Sequence, residues 1–175
     1  MTREGALAVM IAVAVALIAV LAWAWWRRTR RDSGLAAPVG EAPADASTLF
    51  THEALYVATT RHGEPLERLA IRGLGFRSRA DLTVTSAGVA LDLTGQPRFF
   101  LPTERIVEVA QATVAIDRVV EPGGLVRLEW RTDDATIVDS YFRPQDASTR
   151  AVADAIAALV TPTSTSTSTP MGSDA

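Results

Sequence analysis

The chain has 175 residues, no cysteine, 20 acidic residues and 17 basic ones, all arginine, for a formal net charge of −3. The missing thiols exclude disulfides and thiolate metal sites, and the acidic balance disfavours bulk nucleic-acid binding. An arginine-only basic set beside abundant alanine reads as the coding bias of a GC-rich bacterial genome, so single arginines carry little functional weight by themselves.

After a short flank at residues 1–4, residues 5–26 read GALAVMIAVAVALIAVLAWAWW without a charge. At ~1.5 Å per residue such a helix is about 33 Å long, enough for a bilayer core of ~30 Å. It also lacks the polar face of a soluble helix. Trp23, Trp25 and Trp26 stand where the helix leaves hydrocarbon, the level that indoles prefer, and Arg27, Arg28, Arg30 and Arg31 stop the span at once. Arg3 alone among side chains puts a positive charge on the other flank. The positive-inside rule therefore predicts a single-pass anchor in the cell membrane with the rest of the chain in the cytoplasm. The rival reading, a cleaved signal, has Ala22-Trp23-Ala24 in its favour. It is disfavoured because signals carry their charge before a shorter apolar stretch.

The basic flank continues into a linker rich in alanine, proline and acids, so that residues 27–47 form a juxtamembrane segment and tether. Residues 48–161 are one domain, and residues 162–175, PTSTSTSTPMGSDA, read as a disordered Ser/Thr/Pro tail. Within the domain the dominant period is two. Val126, Leu128 and Trp130 alternate with Arg127, Glu129 and Arg131, and Leu82, Val84, Val89, Leu91 and Leu93 fall in similar alternations. Turn residues separate about seven expected strands, at 54–60, 77–85, 88–93, 98–101, 105–116, 125–131 and 135–142. Then the period changes. Val152, Ile156, Leu159 and Val160 share one face of an expected amphipathic helix, with Asp146 as its N-cap and Pro162 beyond its end.

No motif for catalysis, metal or cofactor stands out. His52 and His62, the two histidines, are ten positions apart without ligand spacing and read as exposed bystanders. Asp133 and Asp134 read as turn residues and Asp139 as a strand residue. Ser140 lacks the G-x-S-x-G context of a nucleophile. Gly73 and Gly75 have no following helix or lysine to make a phosphate loop, and read as permitting a bend.

Seven antiparallel strands closed by a C-terminal amphipathic helix is the order of a pleckstrin-homology (PH) domain. Residues 56–85 (YVATTRHGEPLERLAIRGLGFRSRADLTVT), 115–130 (AIDRVVEPGGLVRLEW) and 138–144 (VDSYFRP) carry a resemblance to small actinobacterial single-span membrane proteins with a bacterial PH-like domain. The resemblance implies an N-terminal transmembrane helix plus a mainly β PH-like domain with a C-terminal capping helix. It brings no settled biochemical function, and the lack of a catalytic motif is the reason that neither catalysis nor a cofactor is expected. The tryptophan that eukaryotic PH domains usually hold in that helix is absent here, the nearest being Trp130 on a strand. In lipid-binding PH domains the region after the first strand is basic and meets phosphates through a basic-x-basic pair. Arg77-Ser78-Arg79 resembles that pair, with Arg61 or Arg72 as the upstream member. The expected function is a membrane-anchored cytoplasmic interaction module for a protein or peptide partner. The alternatives are an anionic-lipid module and a structural accessory subunit of a membrane complex.

Overall fold

A computed structural model of the chain describes residues 3–32, 34–116, 118–119 and 123–160. The expected tail, residues 162–175, and part of the 121–124 turn lie outside the described residues. Helix α1 (Arg3–Arg31) is long and apolar enough to cross a membrane, and none of its apolar window is buried against the domain. That exposure separates it from a core helix, because a soluble fold would bury so apolar a surface.

The domain is built from β1 (Thr48–Arg61), β2 (Glu64–Arg68), β3 (Ser78–Thr85), β4 (Gly88–Leu93), β5 (Phe99–Pro102), β6 (Ile106–Ala112), β7 (Val114–Ala115), β8 (Arg118–Val119), β9 (Leu125–Arg131) and β10 (Ile137–Pro144), followed by α2 (Thr149–Val160). The main sheet runs β5-β4-β3-β1-β10-β9-β6, with β2 hung on β1, and β7 pairs β8 in a separate hairpin. The pairings are antiparallel. At 14 residues, β1 is long enough to pair β3 through its first half and β10 through its second, with a register shift between Tyr56 and Ala58. Such a shift bends a strand, and here it turns one half of the sheet over the other.

The core lies between those halves. It includes Tyr56, Leu82, Val84, Val89, Val126, Leu128, Trp130, Val138 and Phe142, closed by Val152 and Ile156 of α2. The expected faces of β9 and α2 are thus observed, with Leu159 and Val160 packed at the edge. Ser148, not Asp146, caps α2, since the Ala151 N–H donates to Ser148 Oγ at 3.1 Å. Asp146 lies too far before the first turn and pairs with His52 at 3.2 Å instead.

Three boundaries differ from expectation. β1 starts at Thr48 because Phe50 and Thr51 pair with Val84 and Thr83. The stretch read as one strand over 105–116 is a 3-10 turn (Thr103–Arg105), β6 and β7. β2 was not expected, because its five residues hold three charges and a proline. The tether also differs. Ala37 is buried, Leu35 packs on the core, Val39 bridges Phe99, and the Phe100 N–H donates to Pro38 O at 2.9 Å. This segment covers the outer edge of β5, which would otherwise expose unpaired peptide groups.

Candidate functional site

Residues 62–77 connect β1 to β3, carrying β2 on the way and leaving the sheet after it. Their inner side is fastened: Leu69, Ile71 and Leu74 enter the core, and the Tyr56 hydroxyl donates to Leu74 O at 2.7 Å. The Arg68 guanidinium donates to Gly75 O and Val57 O, each at 2.8 Å. Gly73 sits at φ +84°, and a Cβ there would stand 2.6 Å from Phe99, so the bend read from the sequence has a steric reason for glycine.

This excursion meets the C-terminal end of α1. Asp32, only 1% exposed, accepts from the Ala70 N–H at 2.9 Å and from Arg31 Nε at 2.9 Å. Arg31 also reaches Glu67 at 2.8 Å. A notch of about 630 Å³ remains between helix and excursion, lined by Trp25, Thr29, Arg72, Phe76, Arg77 and Gln96 among others. Phe76 is among the most exposed large apolar residues. On the other flank of α1 a depression of about 1050 Å³ includes Trp23, Arg27, Glu64 and Glu67. Its carboxylates make it a poor seat for an anion.

The arginines singled out in the sequence do not form one cluster. Arg61 turns to Glu67 at 3.4 Å. Arg72 and Arg77 are exposed, line the notch together and make no ion pair among the described residues. Arg77 lies before β3, which starts at Ser78, while Arg79 on the strand borders a different depression with Glu53, Asp81 and Asp92. Arg77, one residue before β3, thus lines the notch with Arg72, while Arg79 lines the other depression. In the flank, Arg27 lies over the Trp23 ring at 5.5 Å and Arg30 over Trp26 at 4.9 Å. Such stacking suits a cation held at an aromatic interface. Nothing is described for the Arg28 side chain.

A second cluster was missed. His62 begins the excursion, and its Nδ1 lies 3.1 Å from Asp139 Oδ1 on β10 and 3.6 Å from Glu129 Oε2 on β9. The Gly63 N–H reaches the other Asp139 oxygen at 3.4 Å. The hydrogen bond to Asp139 raises the His62 pKa above the usual imidazole value, and burial raises that of Glu129. Alternation along β9 had placed Glu129 in solvent with Arg127 and Arg131. It is buried, beside the strands and the β1–β2 turn that also bury Asp139. The acids of the β9–β10 turn are structural, as read: Asp133 pairs with Arg105 at 2.6 Å, and Asp134 accepts from Thr132 and the Thr136 N–H.

Strand order 4-3-2-1-7-6-5 in the seven-strand count, a bent first strand shared by both halves and a C-terminal helix over the open end together define a PH-like domain. Comparison with family models agrees: the model described as "Bacterial PH domain-like" matches residues 35–158, and the chain belongs to that family. Its match starts inside the segment read as a tether, which fits the packing of Leu35 and Ala37. No curated protein matches the chain. PH-like domains are typically non-catalytic modules for protein or lipid interaction.

Proposed function

We propose that the chain is a membrane-anchored interaction module whose PH-like domain stands on the cytoplasmic face and meets anionic headgroups through Arg72 and Arg77. The observation that carries this reading is the notch, where two exposed guanidiniums, without acidic partners among the described residues, share a wall with Trp25 and Thr29 of the helix end. With Trp25 at the interface, the notch lies at headgroup depth. Guanidinium forks suit phosphate oxygens, and each basic residue near an anionic surface contributes ~1 kcal/mol. The anchor does not make this contact redundant. It turns headgroup binding into an intramolecular event, so that the lipid sets the pose of the domain rather than its attachment.

The test uses the full chain in nanodiscs. Amide exchange over residues 69–78 is expected to be slower in anionic than in zwitterionic lipid, less so at high salt, and equal in both for Arg72→Glu plus Arg77→Glu. Equal exchange in both lipids for the unmodified protein would remove the lipid reading. A protein or peptide partner is the second reading. It is supported by β6, which ends the sheet order and is paired only with β9 among the described residues, leaving an edge that an extended segment could extend.

Orientation is checked separately. The chain has no cysteine, so Asp45→Cys supplies one exposed thiol before the domain. It is expected to resist an impermeant thiol reagent in intact cells and to react after permeabilisation. Labelling of intact cells would place the domain outside.

A further inference from the structure

Thr60, Asp139, Glu129 and Glu108 stand opposite one another across β1, β10, β9 and β6, forming a cross-strand row with three adjacent acids. Like charges directly opposite destabilise a sheet, and the two inner carboxylates are also withdrawn from water, with side-chain exposure of 2% for Asp139 and 7% for Glu129. One guanidinium faces them: Arg127 lies 2.8 Å from Glu108 and 3.8 Å from Glu129. With all three carboxylates ionised, one guanidinium leaves two negative charges, and among the described residues the His62 ring is the other basic group in ion-pair range of the two inner acids. Among the described residues the Glu129 carboxylate accepts no hydrogen bond, its nearest cationic groups being His62 at 3.6 Å and Arg127 at 3.8 Å.

Donor atoms of His62, Glu129 and Asp139 lie within 4.8 Å of one another. Around a cation bound at ~2.0–2.2 Å, neighbouring ligand atoms stand about 2.8–3.6 Å apart in octahedral or tetrahedral geometry. The observed 3.1 and 3.6 Å from His62 Nδ1 already match that spacing. We propose that His62, Glu129 and Asp139 form a binding site for a divalent metal cation of the zinc or manganese kind. One imidazole nitrogen and two carboxylates are the donors such ions accept, and a dication cancels the two excess charges. The Gly63 N–H fixes the second Asp139 oxygen, as an outer partner orients a ligand. His62 is 46% exposed, which gives the ion a path and leaves room for water to complete its coordination. Arg127 makes its closer contact with Glu108 at 2.8 Å and stands 3.8 Å from the Glu129 oxygen that faces His62. Because His62 heads the excursion that carries Arg72 and Arg77, the ion would tie the base of that excursion to β9 and β10.

The test is a titration of the full chain in detergent, purified with a histidine-free tag and stripped by chelator, with Zn2+ and with Mn2+ in separate calorimetric runs. One equivalent of at least one cation is expected to bind and to raise the unfolding temperature. His62→Ala and Glu129→Gln should each weaken binding at least ~10-fold, the range seen when even an outer partner is lost, and should cancel the thermal gain. His52→Ala, which alters the separate His52–Asp146 pair, should bind as the unmodified protein does. Glu129→Gln keeps side-chain shape and removes a crowded charge, so its fold should survive stripping. Absence of stoichiometric binding by either cation, or binding unchanged in both His62→Ala and Glu129→Gln, would overturn the site.

Discussion

Trp130→Ala is expected to lower the unfolding free energy of the domain by about 3–5 kcal/mol, the range for deleting a large buried aromatic. Trp130 is only 2% exposed, in the core that closes against α2. Its indole also ends a buried polar chain. Nε1 donates to Ser140 Oγ at 2.9 Å, Ser140 Oγ lies 2.7 Å from Thr59 Oγ1, and Thr59 lies 2.9 Å from the Tyr56 hydroxyl, which donates to Leu74 O. That chain joins β9, β10 and β1 to the excursion, and burial within it pushes the Tyr56 phenol well above its ordinary pKa. Alanine thus opens a cavity and removes one of the chain's donors. Against a typical domain stability of ~5–15 kcal/mol, the loss would shift the urea midpoint of the sheet's circular dichroism strongly. Trp130→Phe should cost less, about 1–3 kcal/mol, since it fills most of the space and loses only the N–H. An alanine variant with an unchanged midpoint would mean that this half of the core is not packed as described.

Asp32→Ala should loosen the joint between helix and domain. The buried Asp32 carboxylate is an acceptor for the Ala70 N–H, and alanine leaves that donor unsatisfied at a cost of about 1–3 kcal/mol. Hydrogen exchange of the Ala70 amide reads this directly, with an expected acceleration of roughly 5- to 150-fold for a local change of that size. Asp32→Asn keeps an acceptor oxygen and should accelerate exchange far less. Because Arg31 would lose Asp32 but keep Glu67, the excursion should stay near the helix while its register relaxes. Equal exchange in Asp32→Ala and the unmodified protein would show that the domain swings freely on its tether.

Much of the architecture was legible because it rests on periodicity. An uncharged stretch ending in WAWWRRTRR has few uses other than an interfacial stop. Alternation in Leu82–Thr85, Gly88–Leu93 and Leu125–Arg131 marks strands, and the four-residue spacing from Val152 to Ile156 marks a helix face. Leu35, Ala37 and Val39 alternate too, a signal that proline and alanine around them concealed. Their role is clear only once Phe99 and Phe100 are seen to need an edge partner.

The candidate sites were less legible because they join residues distant in sequence. Arg72 and Arg77 matter together only because Leu69, Ile71 and Leu74 pull the excursion down and aim its outer side at Trp25. His62 and Asp139 are 77 positions apart, and Glu129 meets them only through the β9–β10 register. The sequence by itself determined the apolar helix, its basic boundary, most of the strands in chain order and the capping helix, since each follows from local hydrophobic pattern and charge. The tertiary structure alone decided which charges are paired, which are buried and which are left facing the notch, because burial and electrostatic partnership depend on contacts across the sheet that no local period encodes.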